Sequence, residues 1–175
     1  MSGRARVLIF TGDGKGKTTA ALGMAFRAAG HGLRTCVVQF VKGDTSVGEI
    51  ASAAASPSIE IHTTGLGFLP PRDHPDFAGH RAAAQAGLIA AAEAVECGRY
   101  ALVILDEVCL AVARGAIDES RVAELVAHAP PQSCLVLTGR DAPTSLIALA
   151  DTVTEMRCVK HGLNAGIAAQ KGVER

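Results

Sequence analysis

Short apolar runs alternate along this chain with longer segments of helical character. Runs of β-branched or aliphatic residues, such as residues 101–105, are typical of strands that are covered on both faces. The chain is predicted to form six strands, at residues 7–10, 36–40, 59–62, 101–105, 134–137 and 152–156. Helices are predicted at residues 17–29, 77–97 and 144–150, with one more from Glu107 and another behind Asp118. This regular alternation predicts an α/β fold with a mainly parallel β-sheet and helices on both faces.

Turn-forming residues set the ends of several predicted elements. Gly30 and Gly32 are expected to close the first helix, because glycine readily adopts the conformation that ends many helices. Residues 65–76 contain three prolines and two glycines and are therefore predicted to be a loop. Asp76, at the end of this loop, is expected to cap the long Ala-rich helix that follows.

The composition fits a single domain over residues 1–175 and narrows the function. Apolar residues make up 49% of the chain, and 17 basic residues balance 17 acidic ones. With 3% aromatic residues and no tryptophan, the chain lacks the basic surface and the stacking side chains of a general nucleic-acid binder. No apolar stretch approaches the roughly 18 residues that cross a bilayer, and the first apolar run is too short for a signal peptide. We therefore expect a cytoplasmic protein with neither a nucleic-acid nor a membrane partner.

The clearest chemical motif, at residues 11–19, lies between the first predicted strand and the first predicted helix. Glycines in such a loop let backbone N–H groups approach phosphate oxygens, and the helix N-terminus adds a partial positive charge. The pattern resembles the Walker A motif, although Thr11 stands at the position of its first glycine. Lys17 is expected to reach the phosphates, and the Thr18 hydroxyl to join a Mg²⁺ shell. The candidate nucleotide-binding residues of this loop are Gly12, Asp13, Gly14, Lys15, Gly16, Lys17, Thr18 and Thr19.

Two acidic residues, Asp106 and Glu107, follow the predicted strand at residues 101–105. Ligands of open α/β sheets bind at the carboxyl ends of the strands, so both acids are expected in the binding crevice. There they match a Walker B position, where a carboxylate binds Mg²⁺ directly or through water, although acids here also cap the next helix. Thr18, Asp106 and Glu107 are therefore the candidate metal ligands. Arg140, after the fifth strand, is either a further nucleotide contact at this edge or an ordinary surface arginine.

Motifs along nearly the whole chain together resemble those of the cob(I)alamin (corrinoid) adenosyltransferases. The matching segments are residues 10–21, 30–32, 38–43, 65–68, 105–107, 137–140, 150–156, 160–161 and 166–172. Their order and spacing hold from about residue 6 to residue 174. The first motif occurs in many ATPases, but the complete series is specific to this family.

The resemblance implies a RecA-like P-loop NTPase fold and an enzyme that uses ATP, Mg²⁺ and a reduced corrinoid. Members of the family move the 5′-deoxyadenosyl group of ATP to cobalt(I) of cobalamin or of a precursor corrinoid, and release triphosphate. The family's nucleotide contacts carry over to Asp13, Lys15, Lys17, Thr18, Arg27 and Glu107. The family also implies a homodimer and a flavoprotein electron donor.

A hydrophobic loop of the family carries a Phe and, two residues later, a Trp, which displace the lower axial ligand of cobalt(II). Phe68 matches the first position, whereas Pro70 stands at the second and offers a smaller apolar face than an indole. The resemblance therefore implies corrinoid contacts at Gly67, Phe68 and Pro70, with Lys17 and Phe68 as catalytic residues. Longer relatives of the family carry an N-terminal segment that can cover the site, so closure is expected either to come from elsewhere or to be incomplete.

Two other functions stay open at this stage. A P-loop ATPase or kinase would use the same nucleotide site but act on the terminal phosphate of ATP. A non-catalytic corrinoid-binding protein would bind the corrinoid and transfer nothing. An ATPase or kinase would convert ATP to ADP, whereas an adenosyltransferase would release intact triphosphate. A binding protein would show no adenosylation either with or without the substitution Lys17→Ala.

Overall fold

Six parallel strands form one sheet in the computed structural model, which describes residues 3–174. The strands are β1 (Arg6–Thr11), β2 (Thr35–Gln39), β3 (Ile59–Thr63), β4 (Leu102–Asp106), β5 (Cys134–Thr138) and β6 (Thr152–Glu155). Their order across the sheet is β3-β2-β4-β5-β1-β6, and every neighbouring pair is parallel. All six predicted strands are confirmed, with each end within one residue of its predicted position.

Helices cover both faces of this sheet, as predicted. They are α1 (Lys17–Gly30), α2 (Gly48–Ala54), α3 (Phe77–Glu96), α4 (Val108–Ala113), α5 (Glu119–His128) and α6 (Thr144–Leu149), followed by a 3-10 turn at Gly162–Ala165. On one face, Ala21 and Ala25 of α1 pack with Ile104 of β4. Val103 of the same strand belongs to the core on the opposite face, to which helices α3 to α6 contribute. Successive strand residues point to opposite faces, which explains why the central strands β4 and β5 are apolar along almost their whole length. Within residues 3–174, no helix combines the length and apolarity needed to cross a membrane.

The structure corrects three local expectations. Helix α2 was not expected, since its seven residues bury only Ala53 and give no apolar pattern to read. Asp76 precedes α3 but does not cap it, because its backbone is already helical (φ −79°, ψ −9°) and its side chain makes no capping hydrogen bond. Gly30 is the last residue of α1, and only Gly32, at φ 71°, takes the left-handed conformation that ends the helix.

The carboxyl ends of the central strands meet at one edge of the sheet. β1, β2, β4 and β5 end at Thr11, Gln39, Asp106 and Thr138. In the strand register, Gln39 lies beside Asp106. Because the strands are parallel, these polar end residues and the loop that follows β1 share the same edge. This edge is the candidate site.

Candidate functional site

The phosphate-binding loop, residues 12–16, curls around the ammonium group of Lys17. Lys17 Nζ donates hydrogen bonds to the carbonyl oxygens of Gly12 and Gly14, each 2.8 Å away. Gly12 (φ 93°) and Gly16 (φ 106°) adopt left-handed backbone conformations that favour glycine. The lysine is 7% exposed, and this burial lowers the pKa of its side chain. A buried ammonium in a loop of this shape is the group that a Walker A motif offers to phosphate oxygens.

The segment that follows β6 packs directly against this loop. The backbone N–H of Gly14 donates to the carbonyl oxygen of Met156 at 2.7 Å. A Cβ atom at Gly12 or Gly14 would lie 2.5 or 2.6 Å from that same oxygen. Thr11, which replaces the first Walker A glycine, accepts a hydrogen bond at Oγ1 from the backbone N–H of Ala142, 3.2 Å away. The loop glycines are therefore required by packing as well as by backbone conformation.

Asp106 is the central hydrogen-bond acceptor of the site. Its Oδ1 accepts hydrogen bonds from the hydroxyl groups of Thr18 (2.7 Å) and Thr138 (2.8 Å). Its Oδ2 lies 3.4 Å from the Lys42 ammonium and 3.5 Å from Gln39 Nε2. The Asp106 side chain is fully buried. A buried carboxylate with four polar partners is held in one orientation.

Glu107 stands next to this acceptor in a strained conformation. Its backbone is left-handed (φ 65°), which costs a non-glycine residue on the order of 1 kcal/mol. The backbone N–H of Glu107 donates to Thr138 Oγ1 at 2.9 Å and so holds the strained conformation in place. Burial, and then the neighbouring Asp106, raise the pKa of the Glu107 carboxyl. No side chain within residues 3–174 donates a hydrogen bond to this carboxylate, which lines a cavity. Strain and a raised pKa at a cavity wall are typical of functional acids.

The oxygen atoms at this edge fit a Mg²⁺ ion. Thr18 gives its hydroxyl hydrogen to Asp106, so the lone pairs of Thr18 Oγ1 are left for a cation. The Glu107 carboxylate faces the same cavity, and hard oxygen donors of this kind are those that Mg²⁺ prefers. Thr18 and Glu107 could therefore hold the ion directly. Asp106, whose two oxygens already have four partners, could act on it only through Thr18 or a water molecule.

A cavity of about 850 Å³ opens over the loop. Most of the predicted site residues line it, namely Asp13, Gly14, Lys15, Gly16, Lys17, Thr18, Thr19, Phe68, Glu107 and Arg140. Gly48 and Glu49 of α2 form part of another wall. A volume of this size lies within the range of small-molecule and cofactor sites. The fold thus brings the phosphate-binding loop and Phe68 into one space.

Phe68 is presented to this cavity by an anchored loop. Its side chain is 85% exposed, so it does not fill the core. Gly67 (φ 103°) donates its backbone N–H to the carbonyl oxygen of Val41 at 2.9 Å. Farther along the loop, Arg72 Nε donates to the carbonyl oxygen of Arg114 at 2.9 Å. The backbone is therefore fixed on both sides of an exposed aromatic ring.

Some predicted site residues do not line the cavity. Three of them lie next to or hydrogen-bond with residues that do line it: Gly12 and Asp106 accept hydrogen bonds from Lys17 and Thr18, and Gly67 precedes Phe68. Arg27 is exposed in the last turn of α1, about 15 Å along the helix from Lys17. Pro70 is buried and lies away from the cavity surface. Arg27 and Pro70 therefore do not line the cavity, and the nucleotide contact of Arg27 and the corrinoid contact of Pro70 stay predictions.

Four polar residues of the site were not singled out by their chemistry in the sequence: Gln39, Lys42, Glu49 and Thr138. Gln39 and Thr138 are the last residues of β2 and β5, so their position at strand carboxyl ends was a usable signal. Lys42 and Glu49 offered no such signal. Their contact depends on α2, which the sequence pattern does not predict.

The strand order, the loop between β1 and α1 and the acids at the carboxyl end of β4 define a RecA-like P-loop fold. The flagellar accessory protein FlaH from Methanocaldococcus jannaschii has a similar fold, with a TM-score of 0.55. The match covers 86% of this chain and 70% of FlaH, at 11% sequence identity. At that identity the likeness concerns the fold alone, and it confirms the predicted fold class.

Within that class, the chain belongs to the corrinoid adenosyltransferase family. The family model described as ATP:corrinoid adenosyltransferase BtuR/CobO/CobP matches residues 3–175. A corrinoid adenosyltransferase of Pseudomonas aeruginosa is 41% identical over 172 residues, which is 98% of this chain and 84% of that protein. A corrinoid adenosyltransferase of Escherichia coli K12 is 36% identical over 171 residues, covering 98% of this chain and 86% of that protein. The family resemblance predicted from the motifs is confirmed.

Proposed function

We propose that this chain transfers the 5′-deoxyadenosyl group of ATP to cobalt(I) of a corrinoid and releases triphosphate. The observation that carries the proposal is a single cavity lined both by the phosphate-binding loop and by Phe68. ATP held by its triphosphate at the loop would leave the Phe68 side of the cavity for a second, large substrate. An enzyme that hydrolyses the terminal phosphate needs room there only for water. Membership of the family supports the same assignment.

The transfer needs orientation and charge neutralisation more than proton transfer. Cobalt(I) is a strong nucleophile, so no general base is required. Its electron pair forms the cobalt–carbon bond to C5′ while the C5′–oxygen bond breaks, and the triphosphate leaves with that bonding pair. Cobalt is thereby formally oxidised to cobalt(III). The protein must hold C5′ in line with cobalt and stabilise the negative charge that grows on the triphosphate.

The loop and its neighbours supply that positive charge. Lys17 and Arg140 both line the cavity, and α1 begins there at Lys17, so that the partial positive charge of the helix N-terminus lies at the same place. Lys17 is already held by the loop carbonyls, so little reorganisation is needed when charge develops. Mg²⁺ held by Thr18 and Glu107 would neutralise further charge on the leaving triphosphate. The remaining nucleotide contacts are proposed at Asp13, Lys15 and Thr19, which also line the cavity.

Phe68 is proposed to contact the corrinoid on its lower axial side. Its exposed ring offers an apolar surface that can displace the axial ligand of cobalt(II), which eases reduction to cobalt(I). Gly67 supplies the left-handed turn that presents this ring. Pro70 is buried, so within this chain Phe68 would act without a second cavity-facing apolar group at the position of the family's Trp. A flavoprotein electron donor and a homodimer belong to the same proposal, on the strength of the family resemblance.

The direct test starts from chemically reduced cob(I)alamin, so that no electron donor is needed. With ATP, Mg²⁺ and this protein, we expect the cobalt(I) spectrum to be replaced by that of a light-sensitive alkylcobalt(III) corrinoid. The matched control omits ATP and should keep the cobalt(I) spectrum under anaerobic conditions. A complete reaction mixture that also keeps the cobalt(I) spectrum would refute the proposal.

A further inference from the structure

Lys42, in the segment after β2, lies between two carboxylates at the edge of the cavity. Its ammonium group is 3.0 Å from Glu49 Oε1 and 3.4 Å from Asp106 Oδ2. The Asp106 side chain is fully shielded from solvent, whereas that of Lys42 is 31% exposed. Among residues 3–174, no other cation lies within salt-bridge distance of Asp106. Lys42 is therefore the formal counter-charge of the acid that organises the site.

We propose that Lys42 is a positioning residue for the Mg²⁺ site. It fixes the Asp106 carboxylate, and Asp106 in turn directs the Thr18 hydroxyl so that its lone pairs face the cation. This inference rests on the proposed function, since it concerns how ATP and Mg²⁺ bind in the same cavity.

The two carboxylate oxygen atoms of Asp106 have different partners. Oδ1 accepts from the hydroxyl groups of Thr18 and Thr138. Oδ2 faces Lys42 and Gln39, and the Gln39 contact of 3.5 Å is too long to hold the carboxylate alone. Without its cation, the buried carboxylate keeps only the long Gln39 contact at Oδ2 and is free to rotate toward another partner. Such a rotation takes from Thr18 the acceptor that fixes the direction of its hydroxyl.

Glu49 holds Lys42 from the opposite side. It lies in the first turn of α2, and its side chain is 20% exposed. The contact between Lys42 and Glu49 therefore ties α2 to the edge of the sheet, whereas the contact between Lys42 and Asp106 reaches the cation site. These two contacts have separable consequences. Loss of the Glu49 carboxylate should weaken the tie between Lys42 and α2 but leave Lys42 paired with Asp106.

The test compares ATP binding by the wild-type chain and by Lys42→Met, using calorimetry in Mg²⁺ and in EDTA. We expect wild type to bind ATP more tightly with Mg²⁺, and Lys42→Met to lose about tenfold or more of this Mg²⁺-dependent gain, as is typical when a supporting residue behind a metal ligand is lost. The affinity for ATP in EDTA should change little, because Lys17 and the loop are intact. A merely structural role would lower both affinities together. A wild-type chain that binds no ATP in either condition would instead overturn the proposed function.

Three further variants separate this role from its alternatives. Lys42→Arg keeps the positive charge and should therefore recover most of the increase in ATP affinity that Mg²⁺ produces, which is the Mg²⁺-dependent gain. Glu49→Gln leaves Asp106 paired and should keep the gain, as should Arg121→Met, which removes an exposed cation on α5. Full Mg²⁺-dependent gain in Lys42→Met, or an equal loss in Glu49→Gln, would overturn the inference. If Lys42→Met does not fold, Lys42→Gln is judged by the same two affinities.

Discussion

A single buried carboxylate organises most of the polar geometry of this site. Asp106 gathers two hydroxyl groups, an amide and an ammonium from three segments of the chain, namely α1, the end of β2 with the residues that follow it, and β5. Charge in such surroundings is tolerated only when it is partnered, so the positions of these four groups are fixed together. The proposed cation site would therefore depend on strand-end residues such as Thr138 as much as on the phosphate-binding loop.

Lys17 is the residue whose loss should harm adenosyl transfer most. Lys17→Ala removes the cation that the loop holds toward the triphosphate, and we expect turnover to fall by about a hundredfold or more. Thermal unfolding should change little, because burial lowers the pKa of this ammonium, and the cost of burying its charge offsets the two hydrogen bonds that it donates to the loop. Initial rates with cob(I)alamin and a melting curve check both outcomes. Lys15→Ala is the matched control, since Lys15 is an exposed lysine on the same loop. We expect Lys15→Ala to slow adenosyl transfer less than Lys17→Ala does and to leave measurable activity. Equal losses in the two variants would contradict this assignment.

Tyr100 allows a test of a contact far from the site. Burial, and then its hydrogen bond to Glu60, raise the pKa of Tyr100 to about 12. Because this is the chain's single tyrosine and there is no tryptophan, ultraviolet absorbance of tyrosinate reports on it alone. We expect ionisation near pH 12 in the folded protein and near the ordinary value of about 10 in urea. The folded state favours the neutral phenol, so this stabilisation is complete below pH of about 10 and is lost as the pH rises toward 12.

The contribution of the carboxylate to that shift can be isolated. Glu60→Gln removes the negative charge beside the phenol, so its ionisation midpoint should fall below that of wild type. Circular dichroism recorded at each pH shows whether the chain is still folded. A folded wild-type chain that titrates near the ordinary tyrosine value would show that the contact with Glu60 is wrong.

The chemistry of single residues could be predicted only where the sequence carries a motif. Lys17, Thr18 and Glu107 belong to segments whose glycines, apolar run and spacing define them, and the structure places all three at one cavity. Lys42 and Glu49 meet because α2 brings them together, and no local pattern encodes that contact. Pro70 is buried in this chain, and its contact with the corrinoid stays a prediction.

At the scale of elements, the phosphate-binding loop and the segment after β6 behave as one unit. In Gly14→Ala the new methyl group would lie 2.6 Å from the Met156 carbonyl oxygen, which is rigid backbone. We expect the free energy of unfolding to fall by about 1–3 kcal/mol, as is usual for overpacking. Urea denaturation measures this change.

Gly23→Ala provides the matched control within the neighbouring helix. Gly23 lies in α1, and nothing lies within 4 Å of a Cβ atom placed there. This variant should raise the free energy of unfolding by about 0.5–1 kcal/mol, because alanine favours the helix over glycine. If both variants had the same effect, the packing of the loop against Met156 would not be the cause.

Elements differ in how well the sequence predicts them. The central strands β4 and β5 are apolar on both faces because helices cover both sides of the sheet, and such runs are easy to recognise. Helix α2 escapes prediction because seven residues that bury only Ala53 have no periodic pattern. The Asp76 cap was wrong because the chain is already helical at that residue, which removes the geometry a capping side chain needs.

At the scale of the whole molecule, the proposed function depends on two distant segments that line one cavity. Phe68→Ala should slow adenosylation that starts from cobalt(II) far more than adenosylation that starts from chemically prepared cobalt(I), because the ring is proposed to act in the reductive step. Rates from the two starting states, measured with the same electron donor and ATP, check this difference. The Phe68 side chain is exposed, so its removal should leave the melting temperature nearly unchanged. Equal losses from both starting states would remove Phe68 from the reductive role.

The most direct measurement of the central claim is the phosphorus content of the products. A single turnover of chemically reduced corrinoid with ATP and Mg²⁺ can be followed by phosphorus NMR while absorbance records the cobalt–carbon bond. We predict one intact triphosphate for each cobalt–carbon bond formed, since the C5′–oxygen bond is the one that breaks. Appearance of ADP and inorganic phosphate in place of triphosphate would show that the cavity serves phosphoryl chemistry, and would contradict adenosyl transfer.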